Sequence, residues 1–81
     1  MGLKEYATPE RLLLKDEIQA AIATAIDELP DDLRTAIILR ELEGLSYEEI
    51  AQTMECPIGT VRSRIFRARD AIDTRLKPLL D

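Results

Sequence analysis

The chain has 81 residues, 46% of them hydrophobic, with 11 basic and 16 acidic side chains and a net charge of −5. That suits one small globular domain of modest stability, and no apolar run reaches the roughly 20 residues that would span a bilayer. A single cysteine precludes an internal disulfide, and the lack of histidine excludes hydrolysis through a histidine base and leaves zinc without an ordinary ligand set. Residues 1–8 read as a lead-in without periodicity, and lack the basic region and apolar core of a secretory signal, so a cytoplasmic protein is expected. Thr8 and Pro9 suit a helix cap and a first helical position. Leu14, Ile18, Ala21, Ile22, Ala25 and Leu29 then recur at spacings of three and four, which predicts a helix over 9–28. Leu12 and Leu13 widen its apolar stripe and call for cover by another domain or a second copy.

Pro30 ends that helix, because the residue before proline avoids helical geometry. A second helix is predicted over 30–43, with Asp31 and Asp32 at the positive end of its dipole and Gly44 as a left-handed stop. Leu33, Ala36, Ile37 and Arg40 set one face, and Ile38, Leu39 and Leu42 broaden it, as suits a central helix with neighbours on more than one side. Ser46 and Glu49 form a capping-box pair that opens a short helix over 46–54. Glu55 and Cys56 make the turn, and Pro57 opens a last helix over 57–76, ended by Lys77-Pro78. Leu79 and Leu80 have two readings, a fold-back onto the core or a sticky end. The sum is an all-α fold: one small four-helix domain over 9–81 that contains a helix-turn-helix, whose second helix suits a DNA major groove.

On that last helix Ile58, Val61, Ile65, Ala68, Ile72 and Leu76 fall on one stripe, the core face. Gly59, Ser63, Phe66, Arg67 and Asp70 lie opposite, with Arg62, Arg64 and Arg69 on the flanks. Phe66, the only phenylalanine, faces outward among arginines. It is covered either by a neighbouring element or by a partner, and the arginines favour the partner. Charge is divided in the same sense. Residues 1–56 carry five basic and thirteen acidic side chains, a net of −8, and residues 57–81 carry six basic and three acidic ones, a net of +3. Local potential governs approach to a phosphate backbone, so the acidic total does not exclude DNA, but so short a basic arm implies weak affinity.

The stretch LPDDLRTAIILRELEGLSYEEIAQTMECPIGTVRSRIFRARDAID, Leu29 through Asp73, resembles the C-terminal promoter-binding domain of an extracytoplasmic-function sigma factor of the envelope-stress branch. The EEIA and TV elements occur widely in helix-turn-helix sequences, whereas GTVRSRIFRAR is far more particular. The upstream domain that melts DNA in such a factor has no counterpart here, so an isolated domain or a piece of a longer protein is expected. The resemblance implies sequence-specific binding to the minus-thirty-five promoter element in stress-response promoters. It also implies core RNA polymerase, through its flap, and an anti-sigma factor as partners, with no enzymatic activity, cofactor, metal, membrane insertion or small-molecule substrate.

A helix in a groove about 12 Å wide needs small groups where it enters and donors beyond. Gly59 and Thr60 suit passage beside a phosphate, with helix N-terminal amides available to it. Arg62, Ser63, Phe66 and Arg67 follow as readers of base edges, the arginines suited to guanine and Phe66 to a thymine methyl. The resemblance assigns base reading to these four and adds Arg40, Tyr47 and Glu48 as supporting contacts. Each has a plainer reading: Arg62 paired with Glu48 or Glu49, Tyr47 stapling two helices, Arg64 and Arg69 solvating the flanks or touching phosphates loosely. Cys56 reads as a small half-buried residue in a tight turn in preference to a redox sensor.

Three other functions compete. A sigma-like module that only captures an anti-sigma factor would lose the basic face, yet Arg62, Arg64, Arg67 and Arg69 are all present. The output domain of a response regulator shares the EEIA-to-TV pattern but is not expected to carry RSRIFRAR. An enzyme has least support, since the acids are scattered and no nucleophile–base pair stands out.

Overall fold

The computed structural model describes residues 9–80, so the lead-in and the Thr8 cap lie outside the described residues. Four helices follow one another: α1 (Pro9–Asp27), α2 (Asp31–Glu41), α3 (Tyr47–Met54) and α4 (Ile58–Leu80). Among the described residues there is no strand. Helix α4 packs against each of the other three, and α2 also packs against α3. The core is aliphatic: Leu29 after α1, Ala36 and Ile37 from α2, Ile50 from α3, and Val61, Ile65 and Ala68 from α4. Ile50, Ile65 and Val61 are its largest fully buried side chains, so the interlock of α3 with α4 lies at its centre.

The connections are built from local chemistry. Pro30 caps α2 in extended geometry, and its carbonyl accepts from the Arg34 amide at 2.9 Å. Arg34 Nη1 donates to the carbonyls of Asp27 (3.1 Å) and Leu29 (3.0 Å), tying the open end of α1 to α2. Its other terminal nitrogen pairs with Asp31. Gly44 adopts φ 73°, where a Cβ would be strained, and turns the chain after α2. The expected capping box is present in full: the Glu49 amide donates to Ser46 Oγ, and the Ser46 amide donates to Glu49 Oε1. At the helix-turn-helix turn Glu55 takes a left-handed conformation, φ 55° and ψ 51°, without being glycine. The Cys56 amide then closes on the Ala51 carbonyl at 3.0 Å.

Two expectations are corrected. Leu14 was expected on the core stripe of α1 but is 43% exposed, with Leu12 and Leu13 more so. A 19-residue helix is roughly 28 Å long, and here only the part from Ile18 onward turns half-buried or buried side chains inward. The last helix also passes through Pro78 and ends at Leu80 rather than near Leu76. Pro78 sits in the final turn, where its missing amide removes one backbone bond, and the continued helix keeps Leu76 and Leu79, three apart, half-buried. Leu79 therefore neither folds back as a loop nor projects freely, whereas Leu80 is 65% exposed.

Candidate nucleic-acid interface

The outward face of α4 carries Gly59, Arg62, Ser63, Phe66 and Arg67, all exposed, with Thr60 half-buried at its edge. The face exists because Val61, Ile65 and Ala68 are anchored in the core, which fixes the rotation of a rigid helix. Phe66 is 73% exposed, so no element among the described residues covers it. A Cβ on Gly59 would meet nothing within 4 Å, so internal packing does not require glycine there. Such a position suits close approach by something outside the chain.

Three of the six cations on this helix are already engaged. Arg64 Nε lies 3.6 Å from Asp32 Oδ2, and its Nη1 donates to Cys56 Sγ. Arg69 Nη2 lies 2.6 Å from Glu41 Oε2, and Arg75 Nη2 lies 2.6 Å from Glu28 Oε1. Arg62 and Arg67 have no ion pair or hydrogen bond among the described residues, including none to Glu48 or Glu49. The two free guanidinium groups of the helix-turn-helix thus bracket Phe66 on the exposed face. The three interhelical pairs had no local signal in the sequence, since Glu41 and Arg69, for example, are 28 residues apart.

The supporting residues divide. Arg40 is half-buried, donates from Nη1 to the Leu45 carbonyl at 2.8 Å, and holds its guanidinium carbon 5.0 Å from the centre of the Tyr47 ring. Tyr47 is half-buried beneath it, and Glu48 is exposed at the start of α3. The hydrogen bond that Arg69 donates to Glu41, with a smaller effect of Tyr47, holds the Arg69 guanidinium above its ordinary pKa. Arg69 follows Arg62 by two helical turns on the same flank, and its partner Glu41 is the residue after Arg40. Among the described residues no group of three His, Cys, Asp or Glu could hold a metal ion, and no helix is long and apolar enough to cross a membrane.

Residues 19–72 match the family described as "Sigma-70, region 4". The chain is 64% identical over 79 residues to the RNA polymerase sigma-H factor of Pseudomonas aeruginosa, covering 98% of this chain and 41% of that protein. It is 60% identical over 79 residues to the ECF RNA polymerase sigma-E factor of Escherichia coli (strain K12) and to that of Salmonella typhi, with the same coverage. It therefore spans about two-fifths of the length of the curated relatives it matches. With a helix-turn-helix built on Ile50, Val61 and Ile65 and a matched span from α1 into α4, the chain belongs to the sigma-70 region 4 family.

Proposed function

We propose that this domain reads the minus-thirty-five element of promoters and so directs RNA polymerase to stress-response genes at transcription initiation. The observation that carries the reading is the pair of unengaged guanidinium groups, Arg62 and Arg67, bracketing exposed Phe66 on an anchored helix. Arginine donates two bonds to a guanine edge, and an apolar ring meets a thymine methyl. Ser63 adds a short donor, and Gly59 with Thr60 lets the start of α4 pass close to a phosphate, where its free amides serve as donors. Arg40 stiffens the entrance to α3, and its remaining donors, with Tyr47 and Glu48, supply contacts at the groove edge.

The role is DNA reading rather than enzymatic, in the cytoplasm, and inside a larger assembly. A largely apolar groove of about 420 Å³ lies among α1, α2 and α4, lined by Ile22, Ile26, Ile37, Ile38, Leu42 and Ile72, with the Glu41–Arg69 pair and Asp73 also on its wall. Leu42 is 75% exposed at its border. This groove suits the flap of core RNA polymerase, and an anti-sigma factor would act by covering the same surfaces. A module that binds protein alone gives no reason for Phe66 to stand between two free arginines.

The test is selection of duplexes from a pool with a short randomised segment, at low salt, by the 81-residue chain. Enrichment of one motif, lost in Arg67→Ala, is the expected result. Retention of every sequence equally would defeat the reading.

A further inference from the structure

The cations of α4 differ in availability, and Arg69, like Arg75, is held by a single exposed ion pair. Its pair with Glu41 is short and charge-assisted, yet both side chains are about half exposed, at 50% and 51%. An ion pair so exposed contributes little to stability, so holding the fold together is a weak explanation for it. Its position is more telling. Arg69 lies two turns, roughly 10 Å, beyond Arg62 on the same flank, and its partner Glu41 directly follows Arg40, which stacks on Tyr47. Arg62 and Arg40 belong to the DNA-facing set, so a guanidinium there is within reach of the backbone that borders an occupied major groove.

We propose that Arg69 is a latent DNA-backbone site and that Glu41 is its intramolecular competitor, keeping the domain's autonomous affinity for DNA low. The proposal rests on the promoter-reading function above. Glu41 and a DNA phosphate offer Arg69 the same chemistry, an anionic oxygen that accepts from a guanidinium, and while Glu41 holds Nη2 its carboxylate neutralises the charge that a phosphate would otherwise meet. While Glu41 holds it, the domain keeps two free arginines on α4 and needs the rest of its assembly to stay on DNA. A phosphate contact carries affinity without sequence information, so release of Arg69 strengthens binding to any duplex.

The experiment is anisotropy titration of the 81-residue chain on a selected duplex and a scrambled one over a range of potassium chloride. Glu41→Gln is compared with Glu43→Gln, an exposed neighbour whose change alters net charge equally without releasing an arginine. Glu41→Gln should steepen the salt slope by about 0.9, and raise affinity for both duplexes by roughly eightfold at 0.1 M salt, when that slope is extrapolated from 1 M. Glu41→Gln combined with Arg69→Gln restores the wild-type net charge and should restore the wild-type slope. Arg69→Gln alone should leave the slope unchanged, which keeps the proposal testable if Glu41→Gln folds poorly by circular dichroism. Equal slopes for Glu41→Gln and Glu43→Gln would overturn it, as would a reduced slope in Arg69→Gln. A wild-type chain that binds both duplexes equally would defeat promoter reading, while the comparison of slopes would still decide the role of Arg69. Failure to bind either duplex at low salt would overturn both.

Discussion

Arg40 stacks over Tyr47, 5.0 Å from the ring centre, while its Nη1 donates to the Leu45 carbonyl at 2.8 Å. One side chain thereby joins the end of α2, the loop after Gly44 and the first residue of α3. Arg40→Ala removes a charged hydrogen bond and a cation–π contact together, and should lower the unfolding free energy by about 2 kcal/mol. Urea denaturation checks this. An unchanged midpoint would leave Arg40 with a role at the DNA alone.

Arg67 and Arg64 separate reading from packing. Arg67 is exposed and unengaged, so Arg67→Ala should leave the melting temperature unchanged while costing about 1–3 kcal/mol of DNA binding and relaxing preference at one base. Arg64 is tied to Asp32 and Cys56, so Arg64→Ala should lower stability, by under about 1 kcal/mol, and leave base preference intact. Competition with single-base variants of the selected duplex, run beside melting curves, distinguishes the two. Equal losses on every duplex for both mutants would mean that charge alone holds the helix.

Stability should fall in acid through Glu49. The backbone amide of Ser46, and then its hydroxyl, hold the Glu49 carboxyl below its ordinary value of 4.5. A carboxyl with a depressed folded pKa stabilises the fold above its unfolded pKa, and that contribution is lost as pH falls through the folded value. Glu49→Gln should therefore flatten the melting-temperature profile below about pH 4.5 without changing its shape near neutrality. Ser46→Ala removes the cap itself and should cost about 1 kcal/mol at neutral pH. An unaltered acid limb in Glu49→Gln would show that the capping box does not govern it.

Glu55 occupies a left-handed conformation that costs a residue with a Cβ about 1–2 kcal/mol. Glycine avoids that strain but loses more entropy on folding, so Glu55→Gly should gain roughly 0.5–1 kcal/mol. Glu55→Val, branched at Cβ, should lose more than it gains. Paired thermal melts give the sign of each, and destabilisation by glycine would place another demand on that side chain.

Most of what depended on neighbours within about four residues was legible in the sequence, the passage of the last helix through Pro78 being the exception. Helical periodicity set Val61, Ile65 and Ala68 inward, Phe66 and Arg67 outward and Arg62 on the flank, because 3.6 residues per turn fixes direction once one face is buried. Ser46 with Glu49, and Gly44 after α2, are bonds and dihedrals closed within a single turn of chain. Only the tertiary structure decided which arginines are free. Asp32, Glu41 and Glu28 reach Arg64, Arg69 and Arg75 across helices, and local spacing does not record which acid will face which base. It likewise decided that Leu14 is left uncovered, since the apolar stripe of α1 is longer than the surface available to receive it. Direction around a helix is a local property of the backbone, whereas pairing and cover depend on where separate helices come to rest against one another.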